Sequence, residues 1–262
     1  MKDEKVKLII AVIVFALAIV GTFIIFNKKK EEYKDVDDTT KEKINNVLGY
    51  YTDITRYYSS KFDGVDLLFD KDKTTLDDIS VSSMLRLATV YTAKNLNSNI
   101  SNTLINQLIN TEGLNQDSYT FYEGKNIRTA IKELFGVDFK DQSILNNKDF
   151  KYNYQYFKDY DVYAVSSNDY ANNDSYQVDY KVLSTKENKD GNIKVEIAIA
   201  YVFIDNSHNT LKYSSKSDLS DLIYEVKIDD AGIKEEDKFT KYNLFLKKDG
   251  ERFIFDKLEK IK

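Results

Sequence analysis

Residues 193–204 read IKVEIAIAYVFI. Ile193, Val195, Ile197, Ile199, Tyr201 and Phe203 recur at every second position, the period of a β-strand. Halfway along, the intervening residues change character. Lys194 and Glu196 are charged, whereas Ala198, Ala200, Val202 and Ile204 are apolar. The first half therefore reads as a strand with one wet face, and the far half as a strand covered on both faces.

The flanking sequence gives this strand its partners. Asn188-Lys-Asp-Gly191 has the Asp-Gly chemistry of a tight hairpin turn and pairs 175–187 with 192–204. Lys247-Lys-Asp-Gly250 does the same for 238–247 and 251–260. Tyr176, Val178, Tyr180 and Val182 alternate, as do Tyr152, Tyr154 and Tyr156. A further strand is expected near Leu222–Ile228. No helix-length pattern separates these later strands, so the sheet is expected to be antiparallel.

Before residue 150 the apolar period is near 3.6. Thr39-Thr-Lys-Glu42 has the spacing of a capping box, and Ile44, Val47, Leu48, Tyr51, Ile54, Tyr58 and Phe62 form one face of the helix it opens. A second helix is expected from Asp78 to Leu96, with Val81, Met84, Leu85, Ala88 and Tyr91 inward. A third opens at Ser101 and carries Leu104, Ile105, Leu108 and Ile109. A fourth opens at Asn126, buries Ile127, Ala130, Ile131, Leu134 and Phe135, and stops at Gly136. The fold class is α+β: a helical part, 39–136, packed on a meandering antiparallel sheet, 150–262. No Ser/Gly/Pro linker divides them, so 39–262 is expected to be one unit, with two subdomains as the alternative.

Ahead of this body lies LIIAVIVFALAIVGTFIIF, Leu8 to Phe26, nineteen residues without a charge. As a helix it spans roughly 28 Å, close to the ~30 Å apolar core of a bilayer. Ala16-Leu17-Ala18 fits a cleavage site weakly, but the apolar run continues for eight residues beyond it, which favours a retained anchor over a cleaved signal. Lysines flank both ends, so the positive-inside count is nearly balanced. The short flank before the anchor and the large body after it favour a cytoplasmic N-terminus and an extracytoplasmic body. Residues 27–38 are charged, without a periodic apolar face, and read as a stalk.

Charge and composition exclude several functions. The chain carries a formal −5, and the body alone −6. That argues against nucleic acid as a partner. Cysteine is absent, which removes disulfides, thiolate metal sites and a cysteine nucleophile. Proline and tryptophan are also absent, while 20 tyrosines are present; this is the signature of AT-rich codons, and it raises tyrosine everywhere.

Two segments resemble parts of known proteins. Gly124-Lys-Asn-Ile-Arg-Thr-Ala-Ile-Lys-Glu-Leu-Phe-Gly136 and Tyr242-Asn-Leu-Phe-Leu-Lys-Lys-Asp-Gly-Glu-Arg-Phe-Ile-Phe255 resemble the helix before the sheet and the final hairpin of single-pass, membrane-anchored envelope proteins of low-GC bacteria. The layout also resembles NTF2-like domains, whose helices pack on a curved sheet around a pocket. The resemblance implies an envelope location or a pocket for a small apolar ligand. It assigns a role to no residue.

Catalytic motifs are not evident. His208, the single histidine, sits in the polar turn Asn206-Ser-His-Asn-Thr210 with no nucleophile-elbow pattern nearby. Asp70-Lys-Asp72-Lys-Thr74 starts like a calcium loop, but Thr75 and Val81 stand where glycine and a bidentate glutamate belong. Acidic pairs such as Asp77/Asp78, Asp229/Asp230 and Glu235/Glu236 are expected by number alone among 43 acids. No cofactor or metal is expected. The one local enrichment is eight tyrosines over 149–180. Tyrosine faces stack on sugars, so Tyr152, Tyr154 and Tyr156 are the candidate ligand-binding set, with cell-wall glycan or another envelope protein as partner. Tyrosine is also a good strand residue, and ordinary strand packing is the favoured reading of this row. The expected function is a non-enzymatic binding or structural role at the envelope, with an NTF2-like pocket and a carboxylate-based hydrolase as alternatives.

Overall fold

The computed structural model describes residues 32–52, 69, 71–96, 100–145, 152–167 and 175–262. Leu8–Phe26 and the far end of the first expected helix, with Ile54, Tyr58 and Phe62, lie outside the described residues. Among the described residues no helix is long and apolar enough to cross a membrane.

In chain order the elements are β1 (Tyr33–Asp35), α1 (Asp38–Thr52), β2 (Lys73–Thr75), α2 (Val81–Asn95), α3 (Asn102–Glu112), β3 (Thr120–Glu123) and α4 (Gly124–Phe135). They continue with β4 (Tyr152–Phe157), β5 (Val162–Ser167), β6 (Ser175–Asn188), β7 (Ile193–Asp205), β8 (Thr210–Ser214), β9 (Leu222–Lys227), β10 (Thr240–Asp249) and β11 (Arg252–Lys260). The architecture is α+β, with helices packed on a large antiparallel sheet. Lys34–Lys262 packs as one unit.

β7 is the axis of the large sheet. β6 runs along one edge of it, from Ser175 opposite Ile204 to Glu187 opposite Ile193, with a bulge between Val182 and Ser184. The other edge is shared. β10 pairs with Ile193–Ile199, and β8 pairs with Tyr201–Asp205. β11 and β2 extend the sheet beyond β10, β9 extends it beyond β8, and β1 lies outside β6.

The two-sided reading of β7 holds. Ile193, Val195, Ile197, Ile199 and Tyr201 enter the main core, together with Ile44, Leu48 and Tyr51 of α1 and Ile127, Ile131, Leu134 and Phe135 of α4. Ala198, Ala200, Val202 and Ile204 enter a second core on the outer face with Leu211, Tyr213, Ile233 and Phe239. Phe203 departs from the pattern: it is only half-buried, with the Lys212 ammonium 5.6 Å from its ring centre.

Helix boundaries need three corrections. α1 is capped by Asp37 rather than by a Thr39–Glu42 box: Oδ1 of Asp37 accepts the Thr40 N–H at 2.9 Å, and Oδ2 accepts its hydroxyl at 2.8 Å. A carboxylate suits the positive end of a helix better than a hydroxyl does. α2 starts at Val81, since Leu76–Asp78 forms a separate single turn and Ser80 accepts the Ser83 N–H at 3.1 Å. α4 starts at Gly124, and Asn126 lies inside its first turn, donating to Glu123 at 3.1 Å. Its end at Gly136, φ 69°, is as expected. Replacing Ser80 with alanine leaves the Ser83 N–H without its acceptor and is expected to cost about 1 kcal/mol in a denaturant melt.

The sheet also departs from expectation. Tyr152–Phe157 does not join the large sheet. It forms a second, three-stranded sheet in the order β3-β5-β4. β2 and β3 fall inside the part read as helical, and β1 and the buried Val36 fall inside the part read as stalk. The last hairpin turns at Gly250-Glu251, with Asp249 opposite Arg252, because the left-handed φ of 61° falls on Gly250.

Candidate functional site

The row Tyr152, Tyr154 and Tyr156 faces inward. Tyr154 belongs to the main core and is 1% exposed, and Tyr152 and Tyr156 pack half-buried against that core. The Arg86 guanidinium lies 5.2 Å from the centre of the Tyr152 ring. The opposite face of the small sheet carries Phe157, Val162 and Ala164, which pack with Leu108 of α3. At 1% exposure, Tyr154 has no surface to offer a sugar.

Tyr156 instead leads to a polar cluster that sequence reasoning missed. Arg128 is on the second turn of α4. Its Nη1 and Nη2 each donate at 2.8 Å to one oxygen of Asp161, and Nη1 also donates to Asp141 at 2.7 Å. The Tyr156 hydroxyl donates to Asp161 at 2.9 Å, and the Tyr163 hydroxyl donates to Asp141 at 3.0 Å. The two tyrosine rings lie 4.8 Å apart. Asp161 occupies the turn between β4 and β5 with a left-handed φ of 50°, and its carbonyl accepts the Gly124 N–H at 2.6 Å. A carboxylate from one sheet thus meets the N-terminus of a helix and fastens the two together.

The chemistry of this cluster is static. The Arg128 hydrogen bonds hold the Asp161 carboxyl below its ordinary range despite partial burial. Burial and the neighbouring carboxylates push the Tyr156 and Tyr163 hydroxyls up. Asp161 therefore stays ionised and the phenols stay neutral near pH 7, so Asp161 is not poised to give up a proton. Among the described residues, the carboxyl with a raised pKa is Asp179, pushed up by burial. It belongs to a different cluster, bonded to Tyr213 on the outer side of β7. Asp161 and Asp179 thus stand in separate clusters.

His208 is part of a turn clamp. Asp205 Oδ1 accepts the N–H groups of Ser207 and His208 at 3.1 Å each, and Oδ2 meets His208 Nδ1 at 2.9 Å and Lys212 Nζ at 3.3 Å. The imidazole is otherwise in water, with its side chain 74% exposed. Asp70 lies outside the described residues, and among the described ones no group of three or more acidic or histidine side chains converges to hold a metal.

Compared with protein-family models, curated proteins and solved structures, the chain matches none. The resemblances of 124–136 and 242–255 therefore rest on those segments alone.

Proposed function

We propose that this is a single-pass, membrane-anchored protein of the cell envelope, with its N-terminus in the cytoplasm and an extracytoplasmic body that binds or organises a partner without catalysis. The observation that carries the reading is Leu8–Phe26, nineteen uncharged residues ahead of an acidic body. A long body translocates largely regardless of its charge, which supports the outward orientation. The polar clusters of the body support a non-catalytic role, since their carboxylates, phenols and guanidinium are tied to one another. The inward-facing tyrosine row favours another envelope protein over wall glycan as the partner.

An NTF2-like pocket is the second reading. Against it, the space between α1, α4 and the sheet is filled by Tyr51, Phe135 and Phe255, with ring centres 5.6–6.3 Å apart.

The test is protease treatment of intact cells after removal of the wall. The body is expected to be digested while a cytoplasmic control survives. Survival of the body alongside that control places it inside and sinks the proposal.

A further inference from the structure

The outer face of β7 is closed by a segment with little regular structure. Residues 228–239 leave β9, make single turns at Ile228–Asp230 and Glu236–Lys238, and lead into β10. Of these twelve residues only Ile233 and Phe239 are buried, against Ala198, Ala200, Val202 and Leu211. With the half-buried Ile228, which packs against the same cluster, they make a thin apolar cover for such a floor.

The other ties are polar, and they lead to one carboxyl. The Gly232 N–H donates to the Tyr213 hydroxyl at 2.6 Å, and that hydroxyl donates to Asp179 Oδ2 at 2.6 Å. Gln177 Nε2 donates to Asp179 Oδ1 at 3.0 Å. Alongside, the Tyr224 hydroxyl donates to the Gly232 carbonyl at 3.0 Å and accepts the Lys234 N–H at 3.1 Å. The rings of Tyr213 and Tyr224 stack with centres 4.8 Å apart. A backbone amide of the segment, a buried phenol and a carboxyl on β6 thus form one chain.

We infer that residues 228–239 are a strap whose opening is governed by the protonation of Asp179 beneath it. With the strap closed, burial pushes the Asp179 carboxyl up, and its bonds from Tyr213 and Gln177 offset only part of that. Opening admits water and returns the group toward its ordinary 3.8. The closed state therefore binds the proton more tightly. Its advantage is fully present below pH 3.8 and is lost as pH rises through the raised value. The inference does not depend on the anchor or its orientation.

The surroundings fix the sign. From β7, Ala198, Ala200 and Val202 face this layer and carry no charge. From β8 and β9 come the two phenols. From β6 and the strap come Lys181 and Glu236, paired at 2.8 Å, with Glu235 beside them. On the far edge of β6, Lys34 and Asp35 of β1 are in water. Lys181 holds the Glu236 carboxyl below its ordinary 4.5, so acid weakens that pair and opposes Asp179 only at the acid end. An Asp179 substitution separates the two.

Hydrogen exchange on the full chain in mild detergent tests this, with labelling times scaled for intrinsic exchange between pH 4 and pH 7.5. Protection at Gly232 and Lys234 is expected to fall several-fold across that range, while β7 and β10 hold steady. In Asp179→Asn, which keeps the acceptor for Tyr213, the same amides are expected to stay protected without pH dependence. Identical profiles in the two proteins, or protection that rises with pH, overturn the inference. The reciprocal measurement needs no change at Asp179. In Phe239→Ala, which loosens the strap, the Asp179 carboxyl carbon is expected to titrate nearer 3.8 by NMR, and an unchanged titration overturns the inference equally.

Discussion

Phe255→Ala is expected to lower the free energy of unfolding by about 4 kcal/mol, read as a shift in the denaturant midpoint at constant slope. Phe255 is 3% exposed. Its ring meets Tyr51 at 5.6 Å and Phe135 at 6.3 Å, both near edge-to-face. Those two rings come from α1 and α4, so two helices converge on one side chain from β11. The Tyr51 hydroxyl is pinned to the Leu134 carbonyl at 2.6 Å. With its hydroxyl held, Tyr51 has little freedom to swing into the void that alanine leaves, and a cavity that does not collapse costs the full amount. Phe255→Leu keeps most of the volume and is expected to cost under about 1.5 kcal/mol. Phe245 on β10 supplies the contrast. It points to the opposite face of the same hairpin, half-buried under the Lys257 ammonium at 4.4 Å. Phe245→Ala is expected to cost about 1 kcal/mol or less, as for other partly exposed positions. Equal costs at the two positions would contradict the assignment of the main core to the Phe255 face.

Why the sequence disclosed one sheet and hid the other follows from these same packing arrangements. β7 announces itself because its charged and apolar neighbours switch at Ala198, where its outer face passes from water to a second core. Gly136 and Gly191 mark their turns because both adopt a left-handed φ, 69° and 80°. β5 gives no such sign. Val162, Tyr163, Ala164 and Val165 are all buried, so the strand has no wet face and its four apolar residues show no period. β2 and β3 have three and four residues, too short for periodicity to register. The tyrosine row shows the remaining ambiguity. Its two-residue period was legible, but tyrosine serves a dry face and a wet one alike, so the sequence could not say which way the rings point. The Arg128–Asp161 cluster joins residues 33 apart in the chain, and no local pattern links them. One clue was present and unread: Gly124 opens a helix, where a residue with a side chain usually serves.

Gly124 is there because Asp161 needs the space, and its replacement gives the second large effect. A β-carbon at 124 would sit inside the van der Waals envelope of Asp161 Oδ1, 2.9 Å from its Cγ and 3.0 Å from Arg128 Nη1. The carboxylate cannot step aside freely, because it holds two Arg128 bonds and one from Tyr156. Helix propensity favours alanine by up to about 1 kcal/mol, but overpacking a fixed group costs about 1–3 kcal/mol. The ion pair it displaces adds less than a buried one would, since the Arg128 and Asp161 side chains are 34% and 43% exposed. Gly124→Ala is therefore expected to destabilise by about 2 kcal/mol net. Asp161→Gly removes the obstacle while still permitting the left-handed backbone at that turn. In the Asp161→Gly background, Gly124→Ala is expected to be neutral to stabilising, by up to about 1 kcal/mol, so the coupling is at least the full cost of the single change. If alanine at 124 costs the same in both backgrounds, the clash lies elsewhere and the carboxylate does not fasten the helix to the small sheet.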